Sequence, residues 1–293
     1  MSLILALLLQ VGPNPLAGGM AGDDLVRDRP ARDLARPDSV LDEVNASSAW
    51  LETCLAQLEE DPARAHSTAQ IRRSETTGTD RVLANHCLGM ASSELGLWQD
   101  ARAAFIAARD ETPADEARTR ARFGALAGNA ALAGGDGEGA LALLTRAEAD
   151  ARAAAADPLA AVAATDRARA LVTLGQQAEA LGALEAATTL APELSEGWLL
   201  KATLLRRLDR LDEAQSAIER AASLAPSNPD IGLEAGVIAI LASRDDAARA
   251  SWQSVIDLAP ESPAAATARG YLAQLGQPGD TAAAPQQEES PQP

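Results

Sequence analysis

Four residues carry the nitrogen and sulfur donors that zinc prefers: Cys54, Cys87, His66 and His86. A compact zinc site brings such ligands in short-spaced pairs such as Cys-x-x-Cys, and these four fit no pattern of that kind. Packing or surface roles are therefore expected for both histidines, and no metal. The run Gly134-Gly135-Asp136-Gly137-Glu138-Gly139 has the look of a phosphate loop. It follows a helical segment rather than a strand and lacks the Lys-Ser/Thr that completes such a loop, so it reads as a turn. No Gly-x-Ser-x-Gly or His-Glu-x-x-His occurs, and two histidines leave most acid–base schemes without a candidate. The expectation is a protein that is not an enzyme, with no catalytic residue and no cofactor.

The elements that hold these residues must be helices. Hydrophobic residues make up 47% of the 293, yet aromatics only 2%, so the core has to be built from Ala and Leu. That suits close-packed helices and not a β-sandwich. The net charge of −17 argues against nucleic acid or an anionic membrane as the main partner and favours neutral or basic protein partners. Residues 1–22 hold an apolar run, Leu3 to Leu9, followed by small residues. The run is too short to span a bilayer but fits the middle of a secretory signal; the missing Lys or Arg ahead of it leaves a stray apolar terminus as the other reading. Export to a periplasm stands against a cytoplasmic location. Lys201 is the sole lysine, and the Ala-rich, Arg-over-Lys composition points to a bacterial source.

Along the chain, 23–39 reads as a flexible linker, 40–276 as a helical array and 277–293 as a disordered tail rich in Pro, Gln and acid. Within the array, residues 74–80 form a polar connector, Pro113 and Asp157-Pro158 close helical hairpins, and 115–155 is an enlarged hairpin. Leu190-Ala191-Pro192 returns as Leu224-Ala225-Pro226 and Leu258-Ala259-Pro260, with the prolines 34 residues apart. Units are framed near 48–81, 82–115, 116–160, 161–194, 195–228 and 229–262, with a capping helix at 264–275.

The period and the residue sizes within it resemble the tetratricopeptide repeat family. That family keeps a large residue at position 4, small residues at 8, 20 and 27, a bulky one at 24 and Pro at 32. In 195–228 these places hold Trp198, Ala202, Ala214, Ile218, Ala221 and Pro226. In 229–262 they hold Gly232, Gly236, Ala248, Trp252, Val255 and Pro260, and in 161–194 Ala164, Ala168, Ala180, Leu184, Ala187 and Pro192. In 82–115 they hold Asn85, Gly89, Ala101, Phe105, Ala108 and Pro113. Position 4 is poorly kept outside one unit, and Val255 replaces a smaller residue. The resemblance implies an all-α, right-handed superhelical solenoid of stacked antiparallel helix pairs.

It also implies a role as a scaffold that binds a protein or peptide partner in a concave groove lined by the first helices. The positions that face such a groove hold Arg169, Val172, Leu199, Thr203, Arg206, Arg207, Leu233, Val237 and Leu241. They make an apolar strip flanked by arginines that could take a partner's carboxylates; a solvated helix face partly covered by the last helix is the plainer reading. Cys54 and Cys87 fall at positions 7 and 6 of adjacent first helices, which lie side by side in such arrays. A disulfide would close a 33-residue loop and contribute roughly 3 kcal/mol; two buried thiols are the alternative. A second functional reading is an exported envelope-assembly factor that docks through convex or end surfaces. A regulatory part of an enzyme is the least supported.

Overall fold

The computed structural model describes residues 38–275. The expected signal segment, the linker up to Pro37 and the tail lie outside these residues. Among them, thirteen α-helices follow one another and no strand occurs. They are α1 (Asp38–Glu60), α2 (Pro62–Glu75), α3 (Gly78–Glu94), α4 (Trp98–Glu111), α5 (Ala117–Ala133), α6 (Gly137–Ala153) and α7 (Asp157–Thr173). Then come α8 (Gln177–Leu190), α9 (Ser195–Arg207), α10 (Leu211–Leu224), α11 (Pro229–Leu241), α12 (Asp245–Leu258) and α13 (Pro263–Gln274). Odd-numbered helices are the first helices of pairs and even-numbered ones the second. None among the described residues is long and apolar enough to cross a membrane.

The chain divides between Lys201 and Ala202, inside α9, into two compact units. In the unit that ends at Lys201, each helix from α1 to α7 packs on the next, and first helices also meet: α1 on α3, α5 on α7. In the unit that begins at Ala202, α10 packs on α11, α11 on α12, and α13 on both α11 and α12.

Local sequence sets the helix ends. Ala191, Ala225 and Ala259 share one non-helical conformation, with φ near −140° and ψ of 78°, 71° and 63°. Each precedes a proline, whose ring disfavours helical backbone in the residue before it. Each alanine carbonyl then accepts from the amide three residues on, in Leu194, Asn228 and Ser262. The repeated Leu-Ala-Pro is thus a helix stop followed by a β-turn with Pro in its second place. Inside each pair the first helix ends differently. Gly96, Gly135 and Gly175 take positive φ of 70°, 80° and 75°, and the following amide bonds back five residues, as in Leu97 to Ser92. Asp209 and Ser243 adopt the same left-handed conformation without glycine's freedom.

Three differences from the sequence reading have local causes. Residues 74–80 are not a connector: α2 runs to Glu75 and α3 starts at Gly78, leaving only Thr76 and Thr77 between. Asp157-Pro158 opens α7 instead of closing a hairpin, because a proline in the first helical turn forfeits no hydrogen bond. The pair framed at 161 therefore begins at Asp157, and length is shared among α3, α5, α6 and α7, each of 17 residues.

Second helices seat a large side chain on a small residue of the first. A Cβ at Gly89 would stand 2.5 Å from the Phe105 ring, one at Gly128 would stand 2.5 Å from Leu144, and one at Gly236 would overlap the Trp252 indole. Phe105, Leu144 and Trp252 are all buried.

Candidate binding surface on the first helices

In the unit ending at Lys201, polar side chains form a lane across three first helices. Asn129 of α5 donates its Nδ2 hydrogen to Asp166 Oδ2 of α7 at 2.9 Å. Asp166 is ion-paired with Arg169 one turn further along α7, and Arg169 reaches on to Glu196 of α9. Burial pushes the Asp166 carboxyl up, and the Arg169 charge and the Asn129 hydrogen bond oppose that without cancelling it. Burial also works against the charge on Arg169, but Asp166 and Glu196 outweigh it and raise its pKa. Asn129 and Arg169 are half-buried and Glu196 is exposed, so the lane meets solvent. Half-buried Leu126 lies on α5 and half-buried Val162 and Val172 on α7, while half-buried Met90 lies on α3.

The expected groove residues divide sharply. Arg169 and Val172 are half-buried, whereas Leu199 is buried. In the unit beginning at Ala202, Thr203, Arg206, Leu233 and Val237 are all buried, and only Arg207 and Leu241 are half-exposed. Leu233 and Val237 belong to a core with Trp252 and Tyr271, and Leu241 packs on its edge. The expected apolar strip is here interior, because α13 lies over α11 and the Tyr271 ring sits 5.0 Å from Trp252. Arg249 fixes α13 further by donating to the Leu275 carbonyl at 3.0 Å.

Arg206, expected at the groove's flank, is spent inside the protein. Its Nε donates to Glu234 Oε1 at 2.6 Å, and its side chain is 2% exposed. With Arg169 held between two carboxylates, neither arginine presents an uncompensated charge to a partner.

Asn129, Asp166, Glu196 and Glu234 were the residues sequence reasoning missed. A signal for two of them exists. In the 34-residue frame Asp166 and Glu234 share position 6 with Cys87, and all three reach back to the preceding first helix, to Asn129, Arg206 and Cys54. Cys54 and Cys87 are joined as a disulfide, with 1.97 Å between sulfurs and 6.4 Å between Cα atoms.

The other singled-out residues have structural settings. His86 is buried, edge-on to the Phe123 ring at 5.4 Å, and burial lowers its pKa to about 4. His66 is half-buried on α2. No group of three or more His, Cys, Asp or Glu among the described residues is placed to hold a metal ion. The glycine run is the α5–α6 turn, where Asp136 caps α6 by accepting from Gly139 N at 2.8 Å and pairs with Arg102.

Residues 195–228 match the tetratricopeptide repeat family. No curated protein matches the chain by sequence. Among solved structures, PilF of Pseudomonas aeruginosa superposes with a TM-score of 0.59 at 16% identity, covering 78% of this chain and 98% of that one. PilW, a widely conserved type IV pilus biogenesis factor, gives 0.60 at 16% identity, covering 76% and 97%. MamA of Desulfovibrio magneticus RS-1 gives 0.50 at 15%, covering 64% and 99%. At these identities the likeness establishes the fold.

Proposed function

We propose that the chain, a tetratricopeptide-repeat protein, is a non-enzymatic scaffold that holds a protein or peptide partner against its first helices. The observation that carries this is the lane Asn129–Asp166–Arg169–Glu196, which crosses α5, α7 and α9 at the surface. It offers fixed donors and acceptors on helices that also carry the half-buried apolar groups Leu126 and Val172. A rigid helical surface with preset polar groups and apolar flanks suits a segment that brings amide groups and apolar side chains. With Arg169 and Arg206 already paired to carboxylates and a net charge of −17, the partner is neutral or basic.

The test is capture of partners by the full-length protein in three forms. Wild type and the outer-face variant Glu185→Lys, altered on an exposed residue of α8, should retain the same partner. The inner-face double variant Asn129→Arg/Val172→Asp should lose it.

A second reading places this scaffold outside the cytoplasm, in assembly of an envelope structure. It is supported by the Cys54–Cys87 bond, since disulfides persist in oxidising compartments, and by the apolar run Leu3–Leu9. The fold likeness to PilW, a pilus biogenesis factor, agrees with it. The mass of the protein recovered from its source tests it: cleavage between residues 17 and 22 supports export, and an intact N-terminus contradicts it.

A further inference from the structure

The N-terminal pair α1–α2 packs on α3 largely through small side chains, and one covalent bond joins it to α3. α2 buries only Ala65 and Ala69, while its large apolar residue, Ile71, is 58% exposed. From α1, Leu51 and Cys54 are buried, and Trp50, Leu55 and Leu58 pack at the edge. They meet Cys87, Leu88 and Ala91 of α3 and Ala104 of α4. The next two pairs are locked by Phe105 over Gly89 and Leu144 over Gly128; α2 has no large residue seated in that way.

We infer that the Cys54–Cys87 bond is a latch that keeps α1–α2 seated, and that its reduction releases the pair and uncovers Leu88, Ala91 and Ala104. The chemistry is thiol–disulfide exchange with a dithiol reductant. One thiolate of the dithiol attacks a protein sulfur, the S–S bond breaks, and a mixed disulfide forms. The second thiolate of the dithiol displaces the remaining protein thiolate, so the chain gains two thiols and the dithiol leaves as a disulfide. Both protein sulfurs are buried, Cys54 at 2% exposure and Cys87 at 0%. Attack therefore follows a transient opening of the pair, and the latch holds against casual encounter with thiols.

Hydrogen exchange of the full-length protein, with the bond intact and after complete reduction, tests this. In the reduced protein, amides of 49–75 should exchange faster by on the order of a hundredfold, the scale set by the loop entropy the bond removes. Amides of α5 to α8 should be unchanged. The Cys54→Ala/Cys87→Ala variant should match the reduced protein; if it does not fold, the reduced wild type alone carries the comparison. Equal exchange over 49–75 in both redox states would overturn the latch. So would a matching rise across α5 to α8, which would make the bond a staple of the whole unit, or two alkylatable thiols in protein taken directly from the cell.

Discussion

His86 shows how one side chain couples this fold to pH. It lies buried against Phe123, and its Nδ1 makes no hydrogen bond among the described residues. Desolvation lowers its pKa from 6.5 to about 4, so the unfolded chain takes up the proton first as the medium acidifies. Stability is therefore full above pH 6.5, falls as pH drops towards about 4, and loses about 3 kcal/mol over that window. Denaturant titrations of wild type and His86→Leu between pH 7 and 4 read this directly. The variant should lack that part of the slope, and parallel losses in both proteins would assign the acid sensitivity elsewhere. Two glycines give a second residue-scale contrast. Gly236→Ala drives a methyl into the buried Trp252, whose Nε1 donates to the Leu233 carbonyl at 3.1 Å, and should cost about 1–3 kcal/mol. Gly182→Ala, in α8 with nothing within 4 Å of the new methyl, should instead stabilise by about 0.5–1 kcal/mol. Thermal unfolding of both variants checks the opposite signs.

At the scale of the helix, what was legible in the sequence was whatever local backbone chemistry decides. Leu-Ala-Pro fixes the ends of α8, α10 and α12 because the pre-proline restriction acts within two residues. The small residues Gly89 and Gly236 were legible for the same kind of reason, as each answers one bulky residue at a fixed interval. The candidate surface was less legible. Leu233 and Val237 stand at positions that face a groove in the resembling family, yet here α13 covers them with Tyr271. Position within a repeat does not reveal what a later helix lies on. The ion pairs were hidden for a related reason. Arg206 and Glu234 are 28 residues apart, and only the stacking of α9 and α11 makes them neighbours. Position 6 carries the usable rule, since Cys87, Asp166 and Glu234 all turn towards the preceding first helix.

For the molecule as a whole, composition and fold agree on how the core is built. Alanine-rich helices approach closely, and glycines accept the bulk of their partners. On the proposed reading, the net charge of −17 favours a neutral or basic protein segment at the first-helix face. The most direct measurement is a binding titration of the captured partner against wild type, Glu185→Lys and Asn129→Arg/Val172→Asp, with folding of each checked by circular dichroism. Recognition through the lane predicts that the double variant binds at least about tenfold more weakly, a loss near 1.4 kcal/mol, while Glu185→Lys stays close to wild type. Equal affinity for wild type and the double variant, or weakening confined to Glu185→Lys, would contradict it and move the binding site to the outer helices.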